Sequence, residues 1–473
     1  MVGLMQNPRH ASDSDWSDIE TMQLDTATQE DLSLFATDGA EATEDRAPST
    51  APSTDSLFDF CNYTRSAGGE QILRSRMQAP WATAERILGT QQALKFIQAQ
   101  RDAFATLPAA YVAPNAERYT RDSLPIIKDK NRIEFAMSAF SLWANEDRFY
   151  IRITRGVELT CRLIRTLREF LSQLDHDRPG GELTPILLGL QSLLENPALR
   201  TIPDEKDDRK FWHTLRLDQI FRWHEKPVID QLLRLVYELD ALVALADVSS
   251  KNGFVFPDVE SGPVRIIANG LSHPFLPDAV ANPVELDQSR RVLFLTGPNM
   301  AGKTTYLRAV ATATYFAHLG MGVPAQRFLF VPVDCLLTAI SLYDDINEGV
   351  SFFRAEALRV KAVAEAIAAG RKVIAIMDEP FKGTNVKDAF DASVAILARF
   401  ATKPDCLFMV TSHLIEVSER LDTSLPVNYQ YFEAQEAENR LRFDFVLQPG
   451  VSSQRLGMRV LKEEGIFDLL DRQ

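Results

Sequence analysis

The stretch Phe294-Leu-Thr-Gly297-Pro298-Asn299-Met300-Ala301-Gly302-Lys303-Thr304-Thr305 constrains the fold more than any other part of the chain. An apolar run, Val292 to Leu295, predicts a buried strand; a loop framed by two glycines follows, and Tyr306-Leu-Arg-Ala-Val-Ala-Thr-Ala has helical composition. The spacing G-x-x-x-x-G-K-[ST] between a strand and a helix predicts a P-loop and therefore nucleotide binding. Phosphates need a concave row of backbone N–H groups, and Gly297 and Gly302 permit that close approach. The positive end of the helix adds to the attraction. Lys303 is placed to reach the β- and γ-phosphates, and the Thr304 hydroxyl to hold Mg²⁺.

The chain has 473 residues, enough for two or three domains. Its apolar and charged fractions, 45% and 25%, are those of an ordinary soluble protein. No apolar stretch reaches the length of a membrane span, and a signal-peptide core is not expected at the N-terminus. Cys61, Cys161, Cys335 and Cys406 are scattered without a C-x-x-C pair, which predicts reduced thiols in a cytoplasmic protein rather than zinc ligands. The net charge is -14, but residues 1–55 carry twelve Asp/Glu against two Arg, leaving only -4 for the rest. Bulk charge therefore neither demands nor excludes DNA.

Residues 1–20 are polar and acidic and are expected to be disordered. Residues 22–35 are richer in apolar groups, and 38–55, with an Ala-Pro-Ser-Thr repeat, reads as a flexible linker. From Ser56 the pattern is helical: residues 69–77, 84–107, 133–143, 183–194, 211–223 and 228–246 show apolar groups at three- and four-residue spacing. A longer helix over 158–174 puts Leu159, Leu163, Leu167 and Leu171 on one stripe. Arg162, Arg165 and Arg168 recur on it, with Arg152 and Arg155 just before. Such a ridge can contact phosphates, although a solvated face whose stems cover apolar surface is the simpler reading. His213 and His224 stand alone and read as packing or surface residues. After Pro257 short strands alternate with helices, an α/β arrangement. Residues 428–433 and 440–447 alternate in hydrophobicity and predict a β-hairpin.

Three further stretches complete a site. The apolar strand Val373–Met377 ends in Asp378-Glu379, where a P-loop sheet holds its metal and its water-activating group. Asp378 is the expected Mg²⁺ ligand and Glu379 the expected general base. The strand Cys406–Thr411 leads to Ser412-His413, and a histidine there can sense the γ-phosphate and orient the attacking water. Gly349-Val-Ser351-Phe-Phe-Arg-Ala-Glu356 reads as a helix N-cap with a capping-box-like acid.

Taken together these segments resemble the MutS family of mismatch-repair ATPases. Thr296 to Arg308, with Pro-Asn-Met inside the loop, is similar to that family's Walker A segment, and Gly322-Val-Pro-Ala325 to the segment after the P-loop helix. Asp344-Asp345 through Ser351 and Glu356 resembles the signature region, Asp378-Glu379 with Gly383-Thr384 the Walker B stretch, and Ser412-His413 the Thr-His switch. Pro449-Gly450-Val-Ser-Ser and Gly457 resemble the C-terminal segment. Upstream, Met22-x-Leu-Asp25-x-x-Thr28-x-x-x-Leu32, Ser56-Leu-Phe with Thr64-x-x-x-Gly68, and Leu239 to Ala246 look like parts of the helical core.

The resemblance implies an all-α, lever-like core over residues 21–252 and an ABC-type P-loop NTPase domain over 253–473. It implies ATP and Mg²⁺ as cofactors, Gly297 to Thr305 as the binding loop, and Lys303, Glu379, His413 and Ser351 as the hydrolytic set. It also implies a homodimer in which Ser351 contacts the γ-phosphate bound by the other copy, with DNA as the partner. The expected form is short, without mismatch-recognition and connector domains. Val350, Phe352 and Pro380-Phe381-Lys382 depart from the family pattern, which leaves the ATPase chemistry intact and puts mismatch recognition in question.

Overall fold

The computed structural model describes residues 20–36, 56–128, 131–145, 147–174, 179–202, 210–276, 278–341, 352–437, 440–452, 454 and 466–470. The acidic stretch 1–19, the linker 38–55 and the segment carrying Ser351 lie outside the described residues.

Residues 56–252 build a helical region around Lys226–Lys251, which packs against Ala67–Gln78, Ala84–Ala99, Val112–Arg121 and Leu183–Leu194. Leu239 to Ala246 are all buried, and a helix apolar on every side belongs at the centre of a bundle. The Asp240 carboxylate within that run accepts the Arg65 and Ser66 N–H groups at 2.9–3.1 Å, tying the start of Ala67–Gln78 to the central helix. The helix expected over 158–174 runs from Asp147 to Gln173, and its buried face includes Ile153, Val157, Ile164 and Leu167. Its early start was hidden because Arg148, Arg152 and Arg155 interrupt the apolar pattern.

The arginine ridge is largely used internally. Arg168 donates to the Leu199 and Ile202 carbonyls at 2.8 and 3.0 Å, Arg162 to the Tyr111 hydroxyl at 2.6 Å, and Arg152 pairs with Asp122. Ile133, Met137 and Phe140, at helical spacing on Arg132–Asn145, are by contrast exposed. His213 and His224 are exposed.

Among the described residues the second region holds twelve strands: β1 (Asp258–Val259), β2 (Ile266–Leu271), β3 (Asn282–Leu286), β4 (Val292–Thr296), β5 (Arg327–Phe330), β6 (Cys335–Ala339), β7 (Val373–Met377), β8 (Cys406–Thr411), β9 (Val427–Tyr431), β10 (Ala434–Ala437), β11 (Arg440–Phe443) and β12 (Gln448–Pro449). A six-stranded sheet has the order β12-β9-β4-β8-β7-β6, parallel except for β12, beside a four-stranded sheet of order β1-β5-β2-β3. Strands buried on both faces explain the unbroken apolar runs read in the sequence. Leu293, Leu295, Leu336, Ile374, Ile376, Leu407 and Met409 face one core, shared with the helical region and the helix Lys303–His318. The alternate residues, Val292, Phe294, Leu337, Ala375 and Phe408 among them, face a second core under Phe352–Ala368 and Val386–Phe400.

The expected hairpin is displaced. Val427–Tyr431 joins the large sheet parallel to β4, and the hairpin is β10 with β11. Residues 20–36 contact both regions: Met22 N–H donates to the Pro80 carbonyl at 2.7 Å, while Gln23 forms a parallel bridge with Cys335 on β6. Cys61, Cys161, Cys335 and Cys406 are buried free thiols. Among the described residues no helix is long and apolar enough to cross a membrane.

Candidate functional site

The C-terminal ends of β4, β7 and β8 converge, and each carries one part of the site. After β4 the loop turns through positive φ at Gly297 (140°), Met300 (68°) and Gly302 (101°). A Cβ on Gly297 would lie 2.7 Å from the Phe432 carbonyl oxygen, so both conformation and space demand glycine there. The helix Lys303–His318 starts directly after Gly302 without a side-chain cap, leaving its N-terminus suited to an anion. Pro298 and Ala301 are buried in the loop, whereas Asn299, Met300, Thr304 and Thr305 are exposed along its open side.

Lys303 is 5% exposed and folds back over the loop, donating from Nζ to the Gly297 and Pro298 carbonyls at 2.9 and 3.2 Å. Burial lowers its pKa, against the opposing charges of Glu379 and Asp378. The Lys303 Nζ lies 3.9 Å from Glu379 Oε1.

Asp378 bridges two elements. Its Oδ2 accepts the Thr304 hydroxyl at 2.6 Å, and its Oδ1 accepts the Thr411 hydroxyl from the end of β8. Thr411 Oγ1 in turn accepts the Glu379 N–H at 2.8 Å. Register explains the meeting: Met377 is paired with Val410, which sets Asp378 beside Thr411. Glu379 takes φ of 52° and Phe381 φ of 70°, left-handed conformations that cost a side-chain-bearing residue about 1–3 kcal/mol each. The buried Glu356 carboxylate holds this turn by accepting the Lys382 and Gly383 N–H groups at 3.0 and 3.1 Å. Glu356 thus reaches across to the acidic loop, where the sequence suggested a cap on its own helix. Burial raises its pKa, with those backbone bonds opposing.

His413 Nε2 stands 2.6 Å from Glu379 Oε1. Burial pushes the Glu379 carboxyl up, but the His413 bond and charge, with Lys303 and Lys382, outweigh it and hold the group below the usual carboxylate range. Glu379 is therefore ionised near neutrality.

Beside the loop opens a cleft of about 510 Å³, the size of a small-ligand site. Leu276, Val280, Phe432 and Phe445 give it apolar walls. Asn282 ties the walls together: its amide donates to the Phe445 carbonyl at 2.9 Å and accepts the Leu447 N–H at 2.8 Å. His273, also lining the cleft, has its pKa depressed to about 4 by burial and by Arg308, so its ring is neutral near pH 7.

Of the residues singled out from sequence, the structure brings Gly297 through Thr305, Asp378, Glu379 and His413 together. Ser351 is outside the described residues. Thr411, Asn282 and the clamping role of Glu356 escaped the sequence reading, because strand register and long-range contacts place them. Thr304 and Asp378 offer adjacent hard oxygens and no sulfur or imidazole, a donor set suited to Mg²⁺, which binds through few carboxylates together with phosphate and water.

A glycine loop entering a helix N-terminus, faced by a strand ending in two acids, defines the class of site that receives phosphate. Residues 293–469 match the family model of MutS domain V, the ATPase domain of the MutS family. The match begins inside β4 and takes in the loop, both acids, Thr411 and His413; the helical region and residues 20–36 lie outside it.

Proposed function

We propose that the chain is a MutS-like ATPase with an ABC-type P-loop domain, converting ATP and water to ADP and phosphate. The observation that carries this reading is the convergence of Lys303, Thr304, Asp378, Glu379 and His413 on one side of the glycine loop. The loop N–H groups from Gly297 to Thr305 and the Lys303 ammonium bind the phosphates, and the apolar cleft by Leu276 and Phe445 accepts the base. Thr304 and Asp378 would hold Mg²⁺, which when bound neutralises charge on the β- and γ-oxygens. Glu379 takes the proton of the attacking water as general base, oriented by His413. Ser351 of a second copy contacts the γ-phosphate, so that hydrolysis needs a homodimer. The helical region passes the change to DNA in repair or recombination.

Two variants test the chemistry. Lys303→Ala should weaken Mg-ATP binding by about one to two orders of magnitude, since a charge-assisted bond to phosphate is worth ~1.5–3 kcal/mol. Glu379→Gln should bind ATP within a few-fold of wild type and turn over ~10²–10⁴ times more slowly. Unchanged ATP affinity in the first would remove the P-loop assignment, and unchanged turnover in the second would move the base elsewhere.

A second reading, a nucleotide-switched protein-interaction module without DNA affinity, is favoured by Arg152, Arg162 and Arg168 being bonded to neighbouring helices. Turnover with and without duplex DNA at several salt concentrations separates the two. A rate indifferent to DNA, with no salt-sensitive retention, leaves only the module.

A further inference from the structure

We propose that Asp31, far upstream in sequence and outside the domain V match, is a positioning residue for Asp378; this rests on the reading of Asp378 as the Mg²⁺ ligand. β6 is the edge of the large sheet, and its odd-numbered residues turn backbone groups towards β7, Cys335 N–H donating to the Lys372 carbonyl at 3.1 Å and the Ala339 carbonyl accepting the Asp378 N–H. The N–H groups of Leu336, Thr338 and Ile340 therefore point outward, and a buried edge must find other partners for them. Residues 20–36 supply all three. Leu336 N–H donates to the Gln23 carbonyl at 3.2 Å, Thr338 N–H to Thr28 Oγ1 at 2.9 Å, and Ile340 N–H to Asp31 Oδ2 at 2.8 Å.

Asp31 does the most. It is 4% exposed; Oδ2 also accepts the Thr338 hydroxyl at 2.6 Å, and Oδ1 accepts the Ser341 N–H at 2.6 Å. One carboxylate thus fixes residues on both sides of Ala339. The Ala339 carbonyl accepts the Asp378 N–H at 2.9 Å, and the Ser341 hydroxyl accepts Arg308 from the P-loop helix at 2.8 Å. Asp31 is therefore two hydrogen-bonding links from the backbone of Asp378 and two from the helix that bears Thr304. Those are the two residues whose oxygens stand 2.6 Å apart. Loss of Asp31 releases the end of β6 and loosens that spacing, which a metal ion senses more sharply than the phosphate loop does.

The test reads binding of a fluorescent, non-hydrolysable ATP analogue to the full chain across a Mg²⁺ titration, alongside turnover and thermal melting. In Asp31→Asn the Mg²⁺ concentration for half-maximal binding should rise ~10-fold, as for other residues that support a metal ligand. Analogue affinity at saturating Mg²⁺ should stay within about twofold, because the glycine loop is untouched. Introduced into an Asp378→Asn background, Asp31→Asn should add no further shift. Thr338→Val removes a single donor to Asp31 and should move the Mg²⁺ midpoint in the same direction by less; it carries the test should Asp31→Asn not fold. A lowered melting temperature with an unmoved Mg²⁺ midpoint in the folded variants overturns the proposal and leaves Asp31 a structural bond. Wild-type protein that binds no analogue at any Mg²⁺ concentration removes the nucleotide reading itself, a separate result that takes the proposal with it.

Discussion

Thr411 has a burden out of proportion to its size. A single buried hydroxyl donates to Asp378 and accepts from the backbone of Glu379, so it sets the separation of the two acids. Thr411→Val keeps the β-branched shape and removes both bonds. Stability should fall by about 1–3 kcal/mol for the polar groups left unpaired, and turnover by ~10–100-fold, as for residues that orient a metal ligand, the role proposed for Asp378. Melting and steady-state hydrolysis measure the two effects, and turnover unchanged in a folded protein would show that the acids hold their places without it. The same residue marks the limit of what sequence discloses at this scale. Lys303 and Asp378 were legible because a glycine loop and an apolar strand announce them locally. Thr411 was not, since only the pairing of β7 with β8 brings it to Asp378. Nor was Glu356 legible as a clamp, because its partners lie 26 and 27 residues away on another element.

At the scale of elements, the helix Lys303–His318 has its N-terminus at the glycine loop and its C-terminus in the junction with the helical region. There His318 is fully buried, with Nδ1–H donating to the Trp81 carbonyl at 2.6 Å and its own carbonyl accepting the Trp81 N–H at 2.9 Å. Burial lowers its pKa from 6.5 to about 4, the Trp81 bond opposing. The unfolded chain takes up a proton below pH 6.5 that the folded chain refuses until about pH 4. Stability from this group is therefore present above 6.5 and lost as pH falls towards 4, on the order of 3 kcal/mol across that window. His318→Gln should flatten the fall of melting temperature between pH 6.5 and 4, leaving the part due to His273, whose pKa is also about 4. An identical pH slope in the variant would place the titration elsewhere. The helix itself was plain in the sequence, but its contact with Trp81 was not, because periodicity reports a buried face without naming what covers it. The misplaced hairpin has a related cause: alternation marks Val427–Tyr431 as a strand, while its neighbour β4 lies more than a hundred residues upstream.

At the scale of the whole molecule, the helical region and the strand-bearing region share a core. The helical region ends at Lys251 and the strands begin at Asp258, yet one continuous apolar core runs from Met22 and Leu73 through Tyr315 and Phe316 to Phe432. Phe60 of the helical region stacks with Phe316 and meets Phe275 edge-on, at centroid distances of 6.4 and 5.4 Å. The Tyr315 hydroxyl donates to the Met77 carbonyl at 2.7 Å, and Asp25 pairs with Arg359. A fragment of residues 253–473 would expose the face of the helix Lys303–His318 that these groups cover. Each large apolar side chain returned to water costs about 1.5–3 kcal/mol, so a handful exceeds the ~5–15 kcal/mol that holds a domain together. The fragment should therefore lack a cooperative melt and bind a hydrophobic dye, while the full chain unfolds in one transition that Mg²⁺ and a non-hydrolysable ATP analogue raise together. Calorimetry distinguishes the cases: two resolved transitions in the full chain, or a cooperative melt in the fragment, would mean that the shared core is not what joins the two regions. If the single transition is found and rises with the analogue, a ligand at the glycine loop stabilises the helical bundle through that core, the mechanical link that the proposed transmission of ATP binding requires.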